Sequence, residues 1–262
     1  MCTLKVMTAV SVTPKAFIPN TPAPQWVTTW TTALPNPVDV RCASFGLPYR
    51  LNQPIDAPAH EFSGTDKTEV TMVLHDQWGI TDGDDARKFS EQLLSTGMHY
   101  PIFDAYLPYI RNPRRFPQGS DVYAEFLTDL FSPNTANPTE WVAHFKQCIE
   151  LIESPIFKSV APTAIPHTTL AWDILRVELI AGRAVGAGLI SPAEGQGYAL
   201  RAVRTLQHHF GSWHQVALSF WWGRAMWLAD QPADAATLTL FDDILSTALT
   251  NPISPWVKVP LH

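Results

Sequence analysis

From Thr65 onward, apolar residues recur at the spacing of an amphipathic helix. Over Thr68–Trp78 the inward positions are Val70, Val73, Leu74 and Gln77, and Gly79 stands where a helix can end in a left-handed residue. Thr81 or Asp82 can cap a second helix through Ser95, with Ala86, Phe89, Leu93 and Leu94 inward and Gly97 closing it. Between Tyr100 and Gly119, Pro101, Pro108, Pro113 and Pro117 argue for a loop with at most one or two helical turns, since each proline removes a donor and crowds the preceding turn. Helices follow over Asp121–Phe131 and Thr139–Ile152, the second with Trp141, Phe145, Cys148, Ile149 and Ile152 as its apolar stripe. A proline-rich linker, Ser154–Pro166, then leads into the most clearly punctuated stretch.

No proline occurs between Pro166 and Pro192. Thr168 or Thr169 can cap a helix running to about Ala187, which Gly188 ends. Ser191-Pro192-Ala193-Glu194 has the form of a capping box with proline at the first helical position, where its missing N–H is not needed. That helix continues to Phe210. Ser212-Trp213-His214-Gln215 reads as a second capping box, opening a helix to Ala229–Asp230. A last helix is expected over Asp234–Leu249. Upstream of residue 65 lie nine of the 23 prolines, and the first 38 residues carry only Lys5 and Lys15 as charges. The expected architecture is therefore a single all-α domain of about seven or eight helices over 65–262, with its motif core at 167–229. An extended Pro-rich arm over 1–64 precedes it, with one edge strand near Leu4–Val12 and with Trp26 and Trp30 packing on the body.

Composition narrows the function classes. The 262 residues are 46% hydrophobic and 16% charged, which describes a globular, charge-poor chain. A net charge of −6 argues against a general nucleic-acid binder. Three scattered cysteines, Cys2, Cys42 and Cys148, fit neither a disulfide framework nor a zinc ribbon and suit a reducing cytoplasm. The N-terminus lacks a signal-peptide core. The most apolar stretch, Val216–Ala229, contains Arg224 and is shorter than the roughly 20 residues a bilayer span needs. A soluble cytoplasmic protein, without nucleic acid or membrane as partner, is expected.

Candidate chemistry gathers in the core. On its first helix Asp173, Arg176, Ile180 and Arg183 share a stripe, and Leu175, Leu179, Gly182 and Gly186 share another, where glycine would let a neighbouring helix approach. On its third helix Phe220, Gly223, Arg224 and Trp227 share a face. Arg224 there either holds an anion among aromatic rings or is buried against Asp173 or Glu178. Asp173 and Glu194 could form an acid–base pair, but Glu194 has capping-box spacing from Ser191 and Asp173 lies one turn from Arg176, the spacing of an ion pair. His144 and Cys148, and His208, His209 and His214, lack a third ligand at usable spacing, so neither metal nor cofactor is expected. Cys148, on an apolar stripe, reads as a core thiol. The candidate cluster is Trp172, Asp173, Arg176, Glu194, Trp213, Arg224 and Trp227.

These residues also carry a resemblance. Ala171-Trp172-Asp173-Ile174-x-Arg176, Gly188-Leu189-Ile190-Ser191-x-x-Glu194, Phe210-x-Ser212-Trp213 and Gly223-Arg224-Ala225-x-Trp227, with Trp78-Gly79-Ile80 and Gln92-Leu93-Leu94 upstream, resemble the YbeU/YbeR-like bacterial family, domain of unknown function 1266. Gly195, Gln196 and Gly197 after Glu194 depart from the family pattern, which continues with Ala and Trp. The resemblance implies a helical fold and no established activity, substrate or cofactor. The leading functional expectation is a non-enzymatic module that binds another protein, of regulatory or immunity type, resting on the absent catalytic motifs and the tryptophan surplus. The alternative is an enzyme or small-ligand binder with a Trp-lined cleft in which an Arg anchors an acidic ligand.

Overall fold

A computed structural model describes residues 36–50, 67–133, 135, 137–231, 235–239 and 241–262. The expected strand near Leu4–Val12 and the packing of Trp26 and Trp30 lie outside the described residues. Within these, the chain is a single all-α domain. Its helices are α1 Pro37–Ser44, α2 Lys67–Trp78, α3 Gly83–Ser95, α4 Tyr100–Arg111, α5 Ser120–Phe131, α6 Pro138–Glu153, α7 Pro155–Val160, α8 Leu170–Val177, α9 Arg183–Ala187, α10 Pro192–His209, α11 Trp213–Trp227, α12 Ala235–Thr239, α13 Asp242–Thr250 and α14 Pro255–Lys258. Among the described residues no helix is long and apolar enough to cross a membrane.

The centre of the fold is α8, every residue of which is buried. It packs against α11, α10, α3 and α4, while α2 covers α9 and α1 lies between α10 and α14. A close approach joins α8 and α11: a Cβ on Gly223 would collide with the Cβ of Trp172. Gly186, expected to serve such an approach, has only a Val70 methyl at 3.9 Å from the place of its missing Cβ. The intimate helix contact therefore sits at Gly223.

Several boundaries differ from expectation, each for a physical reason. The single helix expected over 168–187 is divided by a π-helical turn, Glu178–Gly182, between α8 and α9. Gly188, with φ 75°, ends α9 as its position suggested. The segment 100–119, expected to be mostly loop, contains the twelve-residue α4. Pro101 falls in the first turn, where no N–H is required. Pro108 does cost a backbone bond, but Ile102, Phe103, Tyr106, Leu107 and Ile110 are all buried, and that burial outweighs the local penalty. The 154–166 linker holds the short helix α7, capped by Ser154, whose hydroxyl accepts from the Phe157 N–H. The last expected helix is split into α12 and α13, and part of the Pro-rich arm forms α1, started by Asn36 as cap with Pro37 behind it. These short pieces raise the helix count above seven or eight.

The Ser191 capping box is complete: its hydroxyl accepts from the Glu194 N–H, and the Glu194 carboxylate accepts from the Ser191 N–H at 2.8 Å. The second box is only half formed. Ser212 accepts from the Gln215 N–H, but Gln215 Oε1 accepts from Gly211, one residue further out than the box requires.

Candidate functional site

Asp173 leaves the list of candidate acids and bases once its partners are counted. Its side chain is fully buried. Oδ2 accepts from the backbone N–H groups of Met98, His99 and Tyr100, at 2.7, 2.9 and 3.1 Å, and Oδ1 accepts from Arg176 Nη2. A carboxylate offers about four lone-pair sites, so none is left for a substrate. Burial pushes the carboxyl up, but the His99 ring, the Arg176 guanidinium and the backbone donors outweigh it and hold it at about 2. Chemically, Asp173 is the missing cap of α4, whose own N-cap residue makes no side-chain capping bond. Gly97, at φ 72°, shapes the turn: a Cβ there would run into the Tyr100 ring and crowd Asp173 Oδ2.

The arrangement is reciprocated. Asp104, on α4, accepts from the Thr169 N–H at 2.6 Å and from the hydroxyls of Thr168 and Thr169 at 2.5 and 2.8 Å, covering the start of α8. Ser219 of α11 takes the next free donor, the Ala171 N–H, at 3.0 Å.

Arg176 is held from all sides. It pairs with Asp173, donates to His99 Nδ1 at 2.9 Å and to the Trp172 carbonyl at 3.2 Å, and its guanidinium carbon lies 4.9 Å from the Trp172 ring centroid and 5.7 Å from that of Trp78. Glu194 and Trp213 belong elsewhere. Beyond its capping box, Glu194 pairs with Arg87 at 2.8 Å, and Arg87 followed by Ser191 holds its carboxyl at about 2. Trp213 stacks flat on Trp256 at 4.7 Å and donates to the Val259 carbonyl, which fastens the C-terminal segment to α11.

What remains together is Trp172, Arg224 and Trp227, joined by residues that sequence reasoning missed. Trp172 lies 5.9 Å from Trp227 and 5.5 Å from Phe220 by ring centroid. Tyr49 packs on Trp172, Phe220 and Phe241, at 6.5, 5.5 and 5.9 Å. Phe241 in turn lies 4.5 Å from the Arg224 guanidinium carbon. Within this aromatic cluster three buried polar atoms have no hydrogen-bond partner among the described residues: Tyr49 Oη, Trp172 Nε1 and Arg224 Nε. By contrast, the indole N–H groups of the buried Trp213, Trp221, Trp222 and Trp256 donate to Val259, Asp242, Ala164 and Ser44. Burial works against the Arg224 charge, and burial likewise pushes the Tyr49 phenol up.

The expectation that Arg224 is paired with Asp173 or Glu178 is therefore not met. Asp173 is taken by Arg176, and Glu178 by Arg50 at 3.1 Å, both members of the latter pair being buried. Neither Tyr49 nor Arg50 carries a motif; both sit just beyond the short 3-10 turn Leu47–Tyr49 or within it, in the stretch read as an arm. Only their burial in three dimensions identifies them.

His144 and Cys148 do meet, with Nδ1 and Sγ 3.6 Å apart, and Tyr106 Oη is 3.4 Å from the same nitrogen. Burial raises the Cys148 thiol well above its ordinary value and lowers the His144 ring, both of which work against a thiolate–imidazolium pair. Among the described residues no three His, Cys, Asp or Glu side chains group as a metal site.

Neither a curated protein nor a solved structure matches this chain. One family model does, over residues 73–261, which include the α8–π–α9, α10 and α11 core and every residue of the Arg224 cluster except Tyr49. The match carries the description "Protein of unknown function (DUF1266)" and not the YbeU/YbeR name. On that match, which takes in most of its length, the chain belongs to the DUF1266 family.

Proposed function

We propose that the protein binds an acidic small molecule at the Tyr49–Trp172–Arg224 cluster, through a single carboxylate carried on a flat apolar body. The observation that carries this reading is the trio of unpartnered buried polar atoms, Tyr49 Oη, Trp172 Nε1 and Arg224 Nε. Buried polar groups are ordinarily satisfied, and an unpaired buried donor is costly enough to call for an occupant. The trio offers N–H and O–H groups to an acceptor. The charge balance favours a monoanion: Arg176 is matched by Asp173 and Arg50 by Glu178, whereas among the described residues no carboxylate lies in ion-pair range of Arg224. The surrounding rings of Trp227, Phe220 and Phe241 suit an apolar body rather than a sugar or a bare phosphate.

Binding rather than catalysis is the favoured activity, because the cluster supplies donors and no free base. Asp173 is saturated and Glu194 is committed to its cap and Arg87. The free thiols of Cys42 and Cys148 accord with a reducing cytoplasm as the place of action.

The test uses the full-length chain and benzoate as probe. Millimolar benzoate should raise the melting temperature of the wild type, and this shift should vanish in Arg224→Met and shrink in Tyr49→Phe. Because the three atoms are closed to solvent, association should be slow and visible as a lag in tryptophan fluorescence. Benzyl alcohol, which lacks the charge, should give no shift. Absence of any benzoate effect on the wild type, or an equal effect in Arg224→Met, overturns the reading.

A further inference from the structure

Independently of that cluster, α5 is apolar on two faces where an amphipathic helix needs one. Tyr123, Ala124, Leu127 and Phe131 are its buried side, packed toward α4 and α6. On another face Val122, Phe126 and Leu130 recur every fourth residue and are 42%, 53% and 40% exposed. Beside them runs a groove of 380 Å³ that Pro108, Phe116 and Phe126 help to line. A contiguous apolar stripe next to a groove, on the surface of a charge-poor chain, is a docking feature rather than a scatter of exposed side chains.

The flank of the stripe identifies the occupant. Glu125 and Asp129 are exposed along one side of it, with Asp121 at its start in an ion pair with Lys146. An anionic lipid surface would be repelled by that flank. A second copy fits poorly too. In a two-fold pair of antiparallel helices each flank meets its own counterpart, so Glu125 and Asp129 would face the same acids of the other copy. A helix with an apolar stripe of its own and Lys or Arg beside it satisfies both features at once, laying its large residues along Val122, Phe126 and Leu130 and its cations over Glu125 and Asp129. We propose that the α5 face binds a partner protein through a basic amphipathic helix.

A short synthetic helix of Leu and Lys in amphipathic pattern serves as probe against the full-length protein, with a Leu and Glu peptide of the same pattern as control. The Leu/Lys peptide should bind, and Phe126→Ser and the double variant Glu125→Lys, Asp129→Lys should each weaken it about tenfold or more. All three positions are exposed, so thermal unfolding should be unaltered; should Phe126→Ser unfold the protein, the charge variant carries the same prediction. Equal binding of the Leu/Glu peptide, unweakened binding by the charge variant, or co-sedimentation with phosphatidylserine vesicles in place of peptide binding overturns the proposal. So does a dimer in light scattering that Phe126→Ser dissolves, which would assign the face to a second copy.

Discussion

Asp104 and Asp173 cap each other's helices: the carboxylate on α4 closes the start of α8, and the carboxylate on α8 closes the start of α4. Each therefore acts as a structural anion at the positive end of a helix dipole. Replacing Asp173 by Asn can keep one oxygen for the backbone donors, but it turns the amide NH2 toward the Arg176 guanidinium and leaves that buried charge without its carboxylate. Asp173→Asn should lower the unfolding free energy by about 3 kcal/mol in urea titration, the scale of breaking a buried pair. Asp104→Asn, which disturbs a cap without stranding a guanidinium in ion-pair contact, should cost about 1 kcal/mol. An Asp173→Asn loss within about 0.5 kcal/mol would mean that the carboxylate is not structural.

The two glycines that share helix interiors should respond in opposite ways. Gly223→Ala forces a methyl into Trp172 and should destabilise by about 1–3 kcal/mol, as overpacking does. Gly186→Ala meets only a Val70 methyl at ordinary distance and should be neutral or stabilising by up to about 1 kcal/mol through helix propensity. Thermal unfolding of the two variants, read side by side, checks the sign of each.

Two carboxylates tilt the pH profile in opposite directions. Asp173 is held below its ordinary value, so its stabilisation is present above pH 3.8 and is lost as pH falls towards 2. Asp242 is pushed up from 3.8 to about 7, by burial first and by Asp243, against the hydrogen bond it accepts from Trp221. Its contribution is full below pH 3.8 and is lost as pH rises through about 7. Asp242→Asn keeps an oxygen for the Trp221 N–H and removes the titration. The variant should gain on the order of 1 kcal/mol over wild type between about pH 5 and pH 8. Urea midpoints at those two values that fall equally in both proteins would contradict the assignment.

Ser191 and Glu194 separate a cap from a charge. Ser191→Ala removes the acceptor of the Glu194 N–H at the start of α10 and should cost about 1 kcal/mol. Glu194→Gln retains the box geometry and loses only a half-exposed pair with Arg87, so its urea midpoint should stay closer to the wild type than that of Ser191→Ala. Chemical denaturation would show the reverse order if the pair, rather than the cap, fixed this helix.

What was legible in the sequence was whatever is encoded within one turn of helix. Asp82, Ser191 and Gly188 announce their boundaries by local chemistry, and the structure places them there. The apolar spacing likewise identified α2, α3 and α6, and the serines at 191 and 212 marked the starts of α10 and α11. The α4 helix was hidden because its prolines are local signals and its compensation, a buried face and a carboxylate from α8, is not. The π turn at 178–182 escaped for a similar reason: a single extra residue in a helical turn leaves no mark in composition. Asp173 with Arg176 was readable as an ion pair, since the two lie three positions apart. Tyr49 and Phe241 were not readable as neighbours of Arg224, because only the fold brings them to it.

The crossed caps also bear on the order in which the chain folds. The donor and acceptor of each cap are 65 and 75 residues apart, so neither helix start is satisfied until α4 and α8 have met. Closing a loop of that length costs only slightly more than closing a shorter one. Short isolated helices, however, are marginal in water, and neither of these two has a complete local cap to sustain it. The first turns of α4 and α8 should accordingly become protected in one event, which pulsed hydrogen exchange would record as a shared rate. Segment 112–166, carried between them, would then be drawn to the core as a unit already tethered at both ends.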